Sequence, residues 1–523
     1  MPAPEDQNLP AISRPMAALV WGMILIADWG SLYFFESHHL SNLYGDGIAH
    51  VEGARRIFDS LTPGYEAIGS VWLPLPHLLA APLAINDILW RTGLAGSLVS
   101  AIAFALTACL LFRVSLEMNH TLTAAAATLA STLLCLNWLY AATTPLTESL
   151  AIFWGVLTVF LLFRFQQSGR IKTLVSAALA AFFGTLTRYD GWYLLPFAVL
   201  FILLCRFRPW KDRIGEALVF SLIAGTGPLL WLLHNAYRFH NPLQFYNGPY
   251  SAQAIYAHQL ATTGFRYPTD GSWWLSAHYY LEDLRLVFGA WSLELAALGC
   301  IAWILDRSLR RRRAAMLIFL VPLLFYTQSF AYGSVPIYVP TLFPHTYYNL
   351  RYGLEMAPAV ALLPAFLIPE RASKNHRRIL LGVLCAIFAA QAMGMGWKGA
   401  ENLAVVREGI LNTPCKSDEE QDVIRFFSRH YDGQRVLLAA GEWPCLMPQV
   451  GIPYRKTLTN IDRKYWQRIH LGAGQYVEWI VRKRGDPVDE LMKAFPQAFQ
   501  DFEVVSQRTF SRGIYVEIYR RID

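Results

Sequence analysis

Residues 74–90, PLPHLLAAPLAINDILW, decide how the chain threads through a bilayer. The run is apolar, but counting it as a crossing would invert every later loop and turn the arginine clusters outward. We therefore read it as an interfacial helix lying along the outer membrane face. The alternative is a true span offset by a second miscounted one. Left out of the count, it leaves about eleven apolar runs of near-spanning length, near 16–35, 95–112, 121–141, 148–164, 172–187, 191–205, 214–236, 284–305, 314–332, 351–369 and 379–397.

Working outward from that segment, the basic residues fall into step. Arg113 lies in one connecting loop and Arg164, Arg170 and Lys172 in a second. Arg206, Arg208, Lys211 and Arg213 form a third cluster, Arg307 and Arg310–Arg313 a fourth, and Arg371, Lys374, Arg377 and Arg378 a fifth. All land on one side, which the positive-inside bias makes cytoplasmic. The N-terminus is then expected inside and the C-terminal segment outside an inner, cytoplasmic membrane. The first apolar run is long and carries no small-residue cleavage site, so it reads as an anchor that is retained.

Composition agrees. The 523 residues are 54% hydrophobic, 14% aromatic and only 16% charged, at a mean hydropathy of +0.30. Soluble domains carry about a quarter charged residues, so disordered, coiled-coil, collagen-like and small disulfide-scaffold classes are excluded. The net charge of +7 comes from short clusters between apolar runs, which is no nucleic-acid signature. The expected fold is a polytopic all-α membrane protein carrying a small C-terminal α/β domain outside the membrane.

That domain is expected over 401–523, after a transmembrane domain over 1–400. Ser417 with Glu420 makes a capping box ahead of a helix, 435–440, 476–481 and 514–519 read as strands, and 488–495 reads as a helix. Five of the seven cysteines sit in apolar runs, among them Cys205. Cys415 and Cys445 sit in the polar segment, where a disulfide and two unpaired buried thiols are both consistent with the spacing.

Unusual residues gather on the expected outer side, in a first loop at 36–94 and a long loop at 237–283. The first reads NLYGDGIAHVEGARRIFDSLTPGYEAIGSVWLPLPHLL over 42–79. After Asp46, the residues Ile48, Val51, Ala54, Ile57 and Phe58 make one apolar stripe of an amphipathic helix on the membrane surface. Asp46 and His50 lie a turn apart on another face, and Glu52 is placed to pair with Arg56. A helix N-cap is the plainer account of Asp46, and it is compatible with a carboxylate facing a cavity. Glu148, Arg188, Asp190, Arg238, Tyr246, Arg351 and Glu355 stand at outer span ends or in outer loops. Each alone reads as an anchor, yet together they suggest an aqueous cavity. Asp28, inside the first span, receives no role.

The ordered set GDGIAHVEGARRI, WLPLPHLL, TPLTESLAIFW, LTRYDGWYLLPF and YNLRYGLEMAPAVALLP resembles the GT-C glycosyltransferases, closest in pattern to protein O-mannosyltransferases and lipid A aminoarabinose transferases. The resemblance spans roughly 16–400. Two departures stand out: Asp46 is followed by Gly47 where many relatives have a second acid, and Trp72, Leu73 and His77 stand where some relatives place a phosphate-holding lysine.

The resemblance implies an enzyme that moves a sugar from a polyprenyl-phosphate donor to an acceptor hydroxyl on a glycan, lipid or protein, at the outer face and with inversion. The donor already carries a good leaving group, so one base suffices, and Asp46 is that base. Arg188, Arg238, Arg351, His50 and His77 would face the departing phosphate, Glu148 and Asp190 the sugar or those arginines, and Tyr246 the sugar. A divalent metal stays open, because some relatives with pyrophosphate donors require one and the spacing of Asp46, Glu148 and Asp190 specifies none. A secondary transporter or lipid flippase would need midplane binding groups and internal repeats, and neither is evident. A membrane O-antigen ligase or polymerase would concentrate its arginines in one large loop, whereas here they are distributed.

Overall fold

The structure, a computed structural model, describes residues 12–204, 209–306 and 314–522. Cys205, Arg206, Arg208, Arg307 and Arg310–Arg313, used above for packing and orientation, lie outside the described residues.

In chain order the helices begin with α1 (Arg14–Ser37), α2 (Gly45–Arg56), α3 (Pro74–Ala84), α4 (Asp87–Thr92), α5 (Leu94–Asn119), α6 (Leu122–Leu133) and α7 (Leu136–Ala142). They continue with α8 (Glu148–Ser168), α9 (Ile171–Thr185), α10 (Asp190–Leu203), α11 (Trp210–Ala224), α12 (Thr226–Phe239), α13 (Gln244–Asn247), α14 (Ala252–Thr263), α15 (Trp273–Phe288) and α16 (Ala290–Leu305). After α17 (Val321–Tyr332) comes a mixed 3₁₀/α segment, Leu350–Leu367, with α18 (Ala357–Leu362) at its centre, then α19 (Lys374–Gly396) and α20 (Ala404–Asn412).

Among the described residues, 7 helices are long and apolar enough to cross a membrane, and up to 9 if each of two bent pairs is one span. The chain is a multi-pass membrane protein. Two expected spans, 172–187 and 191–205, are the short helices α9 and α10, of 15 and 14 residues. At 1.5 Å per residue these reach only about 22 Å, less than a bilayer core of about 30 Å. The expected span 284–305 is also revised: its first turn belongs to α15, which meets α16 at 111°. Gly289 makes the corner at φ 79°, and the Gln391 side chain accepts the freed Trp291 N–H at 3.0 Å. The run 74–90 splits into α3 and α4, separated by an Asn86 cap whose side-chain Oδ1 accepts from Ile88 and Leu89 N–H.

The Cα packing separates two compact units. One comprises the chain up to Ser41, Ser70–Pro76 and Ser97–Leu411. Within it, Val20 and Ile24 of α1 pack on Ala105, Ala108 and Phe112 of α5, while α6 packs through Ala124 and Ala127 on Leu384 and Phe388 of α19.

The other unit comprises Asn42–Gly69, His77–Gly96 and Asn412–Asp523. Its C-terminal part adds α21 (Asp418–His430), α22 (Leu446–Val450), α23 (Arg463–Trp466) and α24 (Pro487–Ala494) around strands β1 (Val436–Leu437), β2 (Thr457–Leu458), β3 (Trp479–Lys483), β4 (Phe502–Thr509) and β5 (Tyr515–Arg521). The sheet order is β2-β1-β3-β5-β4, parallel across β2-β1-β3 and antiparallel across β3-β5-β4. Ser417 caps α21 by accepting from Glu420 N–H. Of the expected strands, 435–440 contracts to two residues and 476–481 shifts to β3. Strand β4 has no counterpart among the expectations, because it is an edge strand with one buried residue and shows no alternation. Leu437, Leu458, Ile480, Val488 and Phe499 form the core. Cys415 and Cys445 are joined in a disulfide with Cα atoms 5.5 Å apart.

Helix α2 is held within this second unit. Ile48, Val51 and Ala54 are buried, whereas Phe58 is 52% exposed and leaves the expected stripe. Arg56 pairs with Glu52 at 3.5 Å and with Asp462 at 3.3 Å, and Asp59 pairs with both Arg55 and Arg455.

Candidate functional site

The first unit gathers acids and bases from four separate chain segments. Glu148 opens α8 and is 1% exposed. Arg188 lies in the turn between α9 and α10, and Asp190 is the first residue of α10. Tyr326 lies in α17, while Arg351 and Glu355 lie in the 3₁₀ turns that open Leu350–Leu367.

These side chains converge. The Arg188 guanidinium reaches Glu148 at 3.1 Å, Asp190 at 3.4 Å and Glu355 at 3.7 Å. It also donates to Thr147 Oγ1 at 3.0 Å and Tyr326 Oη at 3.2 Å. The Arg351 Nε lies 3.0 Å from Glu148. Both guanidinium carbons sit over the Tyr352 ring, at 5.2 and 5.3 Å from its centroid. The Tyr326 hydroxyl donates to Asp190 at 3.0 Å.

Charge burial accounts for the compactness. An isolated ion in a low-dielectric interior is very costly, so buried charges are found paired and hydrogen-bonded. Three carboxylates face two guanidiniums here.

The strip Ser70–Pro76 is tied to the same turn. Tyr189 Oη donates to the Val71 carbonyl at 2.6 Å, and Leu75 N–H to the Leu186 carbonyl at 3.0 Å. The Trp231 indole N–H donates in turn to Tyr189 Oη at 3.0 Å. Beside the cluster lies a cavity of about 60 Å³, walled by Trp154, Val156, Leu194, Phe319 and Phe325, with Asp190 and Glu355 among its lining.

Sequence reasoning thus named Glu148, Arg188, Asp190, Arg351 and Glu355, and the fold brings these five together. Arg238, half-buried, lies in the last turn of α12, and Tyr246, in α13, is 54% exposed. Tyr326 and Tyr352 went unnamed as site residues, since a tyrosine inside an apolar run carries no mark of the partner it will find.

In the second unit, Asp46 is the second residue of α2 and half-buried. The N-cap position belongs to Tyr44, so Asp46 is no N-cap residue; it lies in the first turn, where free backbone N–H groups favour a negative charge. One turn on, His50 Nδ1 lies 2.9 Å from His77 Nε2. His77 is 4% exposed, and burial, with His50 beside it, pushes its pKa down to about 3. Burial disfavours the charged ring, which runs against the cationic role that the resemblance implies for it. Among the described residues no three His, Cys, Asp or Glu side chains gather as a metal site.

No family model and no curated protein sequence matches the chain. Two structures of ArnT are among the solved structures that share its fold. ArnT from Cupriavidus metallidurans bound to undecaprenyl phosphate superposes with a TM-score of 0.57 at 15% identity, over 97% of this chain and 98% of that one. The apo state of ArnT superposes with a TM-score of 0.56 at 14% identity, over 96% and 98%. The chain has an ArnT-like polytopic fold along nearly its whole length.

Proposed function

We propose that this protein is a polyprenyl-phosphate-sugar-dependent glycosyltransferase of the GT-C type. It takes a sugar from a lipid-phosphate donor and passes it to an acceptor hydroxyl at the outer face of the inner membrane, with the N-terminus inside and the C-terminal domain outside. The observation that carries the reading is the paired-arginine cluster on Glu148, in a chain whose fold matches a protein crystallised with undecaprenyl phosphate.

The chemistry follows from these groups. Asp46 accepts the proton of the acceptor hydroxyl, which attacks the anomeric carbon as the bond to the lipid phosphate breaks and the configuration inverts. Arg188 and Arg351 donate to the phosphate as its charge grows, and a donor in such a dry site contributes about 3–4 kcal/mol. Asp190 and Glu148 hold those guanidiniums in place.

The test is reconstitution in nanodiscs with a panel of labelled undecaprenyl-phosphate sugars, following label transfer and donor hydrolysis. Turnover of one donor that Arg351→Ala and Asp46→Asn each suppress supports the reading. Silence across the panel, with uptake of the same lipid into vesicles, overturns it in favour of transport.

A further inference from the structure

The buried carboxylate of Glu408 lies outside the cluster of Glu148, Asp190 and Glu355. Glu408 of α20 is 2% exposed. Its two oxygens accept the backbone N–H groups of Asn349, at 2.7 Å, and Leu350, at 2.9 Å. These are the residues immediately before Arg351, and Asn349 stands in the left-handed region at φ 59°. Helix α20 is itself anchored: the buried Asn137 accepts Val405 N–H at 3.0 Å and donates to the Val287 carbonyl at 2.8 Å.

We infer that Glu408 is a positioning residue for Arg351, gripping the backbone at 349–350 so that the guanidinium is aimed at Glu148. This rests on the glycosyl-transfer reading above, in which Arg351 meets the donor phosphate. A long arginine side chain has many rotamers, and its usefulness depends on where its Cα is held. A carboxylate taking two successive backbone N–H groups removes that freedom at its root. It also satisfies donors that would otherwise be buried without partners.

The grip requires the charged carboxylate. Burial raises the Glu408 pKa to about 7, against the opposing pull of Arg351 and of the backbone N–H groups it binds. Among the described residues, Asp283 of α15 and Tyr140 of α7 also lie within electrostatic reach. Because the folded-state pKa lies above the ordinary glutamate value of 4.5, the group gains a proton as pH falls through 7 and the grip weakens there.

Two measurements on the full chain in nanodiscs test this. Amide exchange of residues 349–351 in the wild-type protein, corrected for the intrinsic rate, is expected to accelerate as pH falls below 7. The acceleration should vanish in Glu408→Gln, whose exchange is fast at every pH. Protection independent of pH through this window overturns the inference, whether or not the variant folds. With a turned-over undecaprenyl-phosphate sugar, Glu408→Gln is expected to lose on the order of 10–100-fold in kcat and the acid limb near pH 7. Arg407→Gln, on the exposed face of the same helix, should match wild type. A normal kcat in folded Glu408→Gln, or a reduced kcat with the acid limb retained, sinks the proposal. The exchange readout needs no substrate. Protection that follows pH as expected, in a protein that turns over no donor, would leave the grip standing and remove the glycosyl-transfer reading.

Discussion

Arg351 Nε lies 3.0 Å from Glu148 Oε1, the same oxygen that Arg188 approaches to 3.1 Å. One carboxylate thus ties the turn before α10 to the start of Leu350–Leu367, two segments some 160 residues apart in sequence. Glu148 sets the distance between the two guanidiniums. The consequences can be measured.

Glu148→Ala should be costly for the fold. Removing one partner of a buried pair leaves the others uncompensated, at about 3–5 kcal/mol. Thermal unfolding in detergent should show a clear fall in midpoint. The conservative Glu148→Gln should lose less stability while still losing activity, since it keeps the volume and removes the charge between two guanidiniums.

Asp46→Asn should leave donor binding intact and lower turnover on the order of 10²–10⁴-fold, the usual contribution of a positioned base. Titration with fluorescent polyprenyl phosphate would report the binding and single-turnover label transfer the rate. Turnover within a few-fold of wild type would remove Asp46 from the base role.

The disulfide closes a loop of sequence separation 30. The chain-entropy relation gives about 3–4 kcal/mol for a loop of that length. Replacing both Cys415 and Cys445 by serine, or adding reductant, should lower the stability of the full-length protein to urea by that order, while the exchange of amides in α8 and α9 stays unchanged.

Glu420 makes stability depend on pH. It is buried, accepts Cys445 N–H at 2.8 Å, and burial raises its pKa to about 8. A carboxyl whose pKa is higher folded than unfolded favours the fold fully below the unfolded value. That favour is lost as pH rises from about 4.5 to about 8. Stability of the C-terminal domain region should therefore decline across that window in wild type, and less steeply in Glu420→Gln. Exchange of the β1 and β3 amides against pH would show it.

The sequence carried the membrane character, the approximate positions of the apolar helices and the identities of the charged residues at their ends. Hydropathy and helix caps are local quantities, and Ser417 ahead of Glu420 can be read within a few residues. The lengths of α9 and α10 and the sharp turn at Gly289 were harder to read, because apolar composition runs on past the point where a helix stops.

What only the tertiary structure decided is which charges meet. Glu148, Arg188 and Arg351 were each legible as oddities, but nothing local distinguishes them from Arg238 or Tyr246. Tyr326 and Glu408 were not legible at all. Their roles arise when packing withdraws water from groups far apart in the chain, and a buried charge must then take whichever partner the fold has brought within reach. Periodicity reports which face of a helix is buried; the partner on the other side belongs to another segment, and only the assembled chain names it.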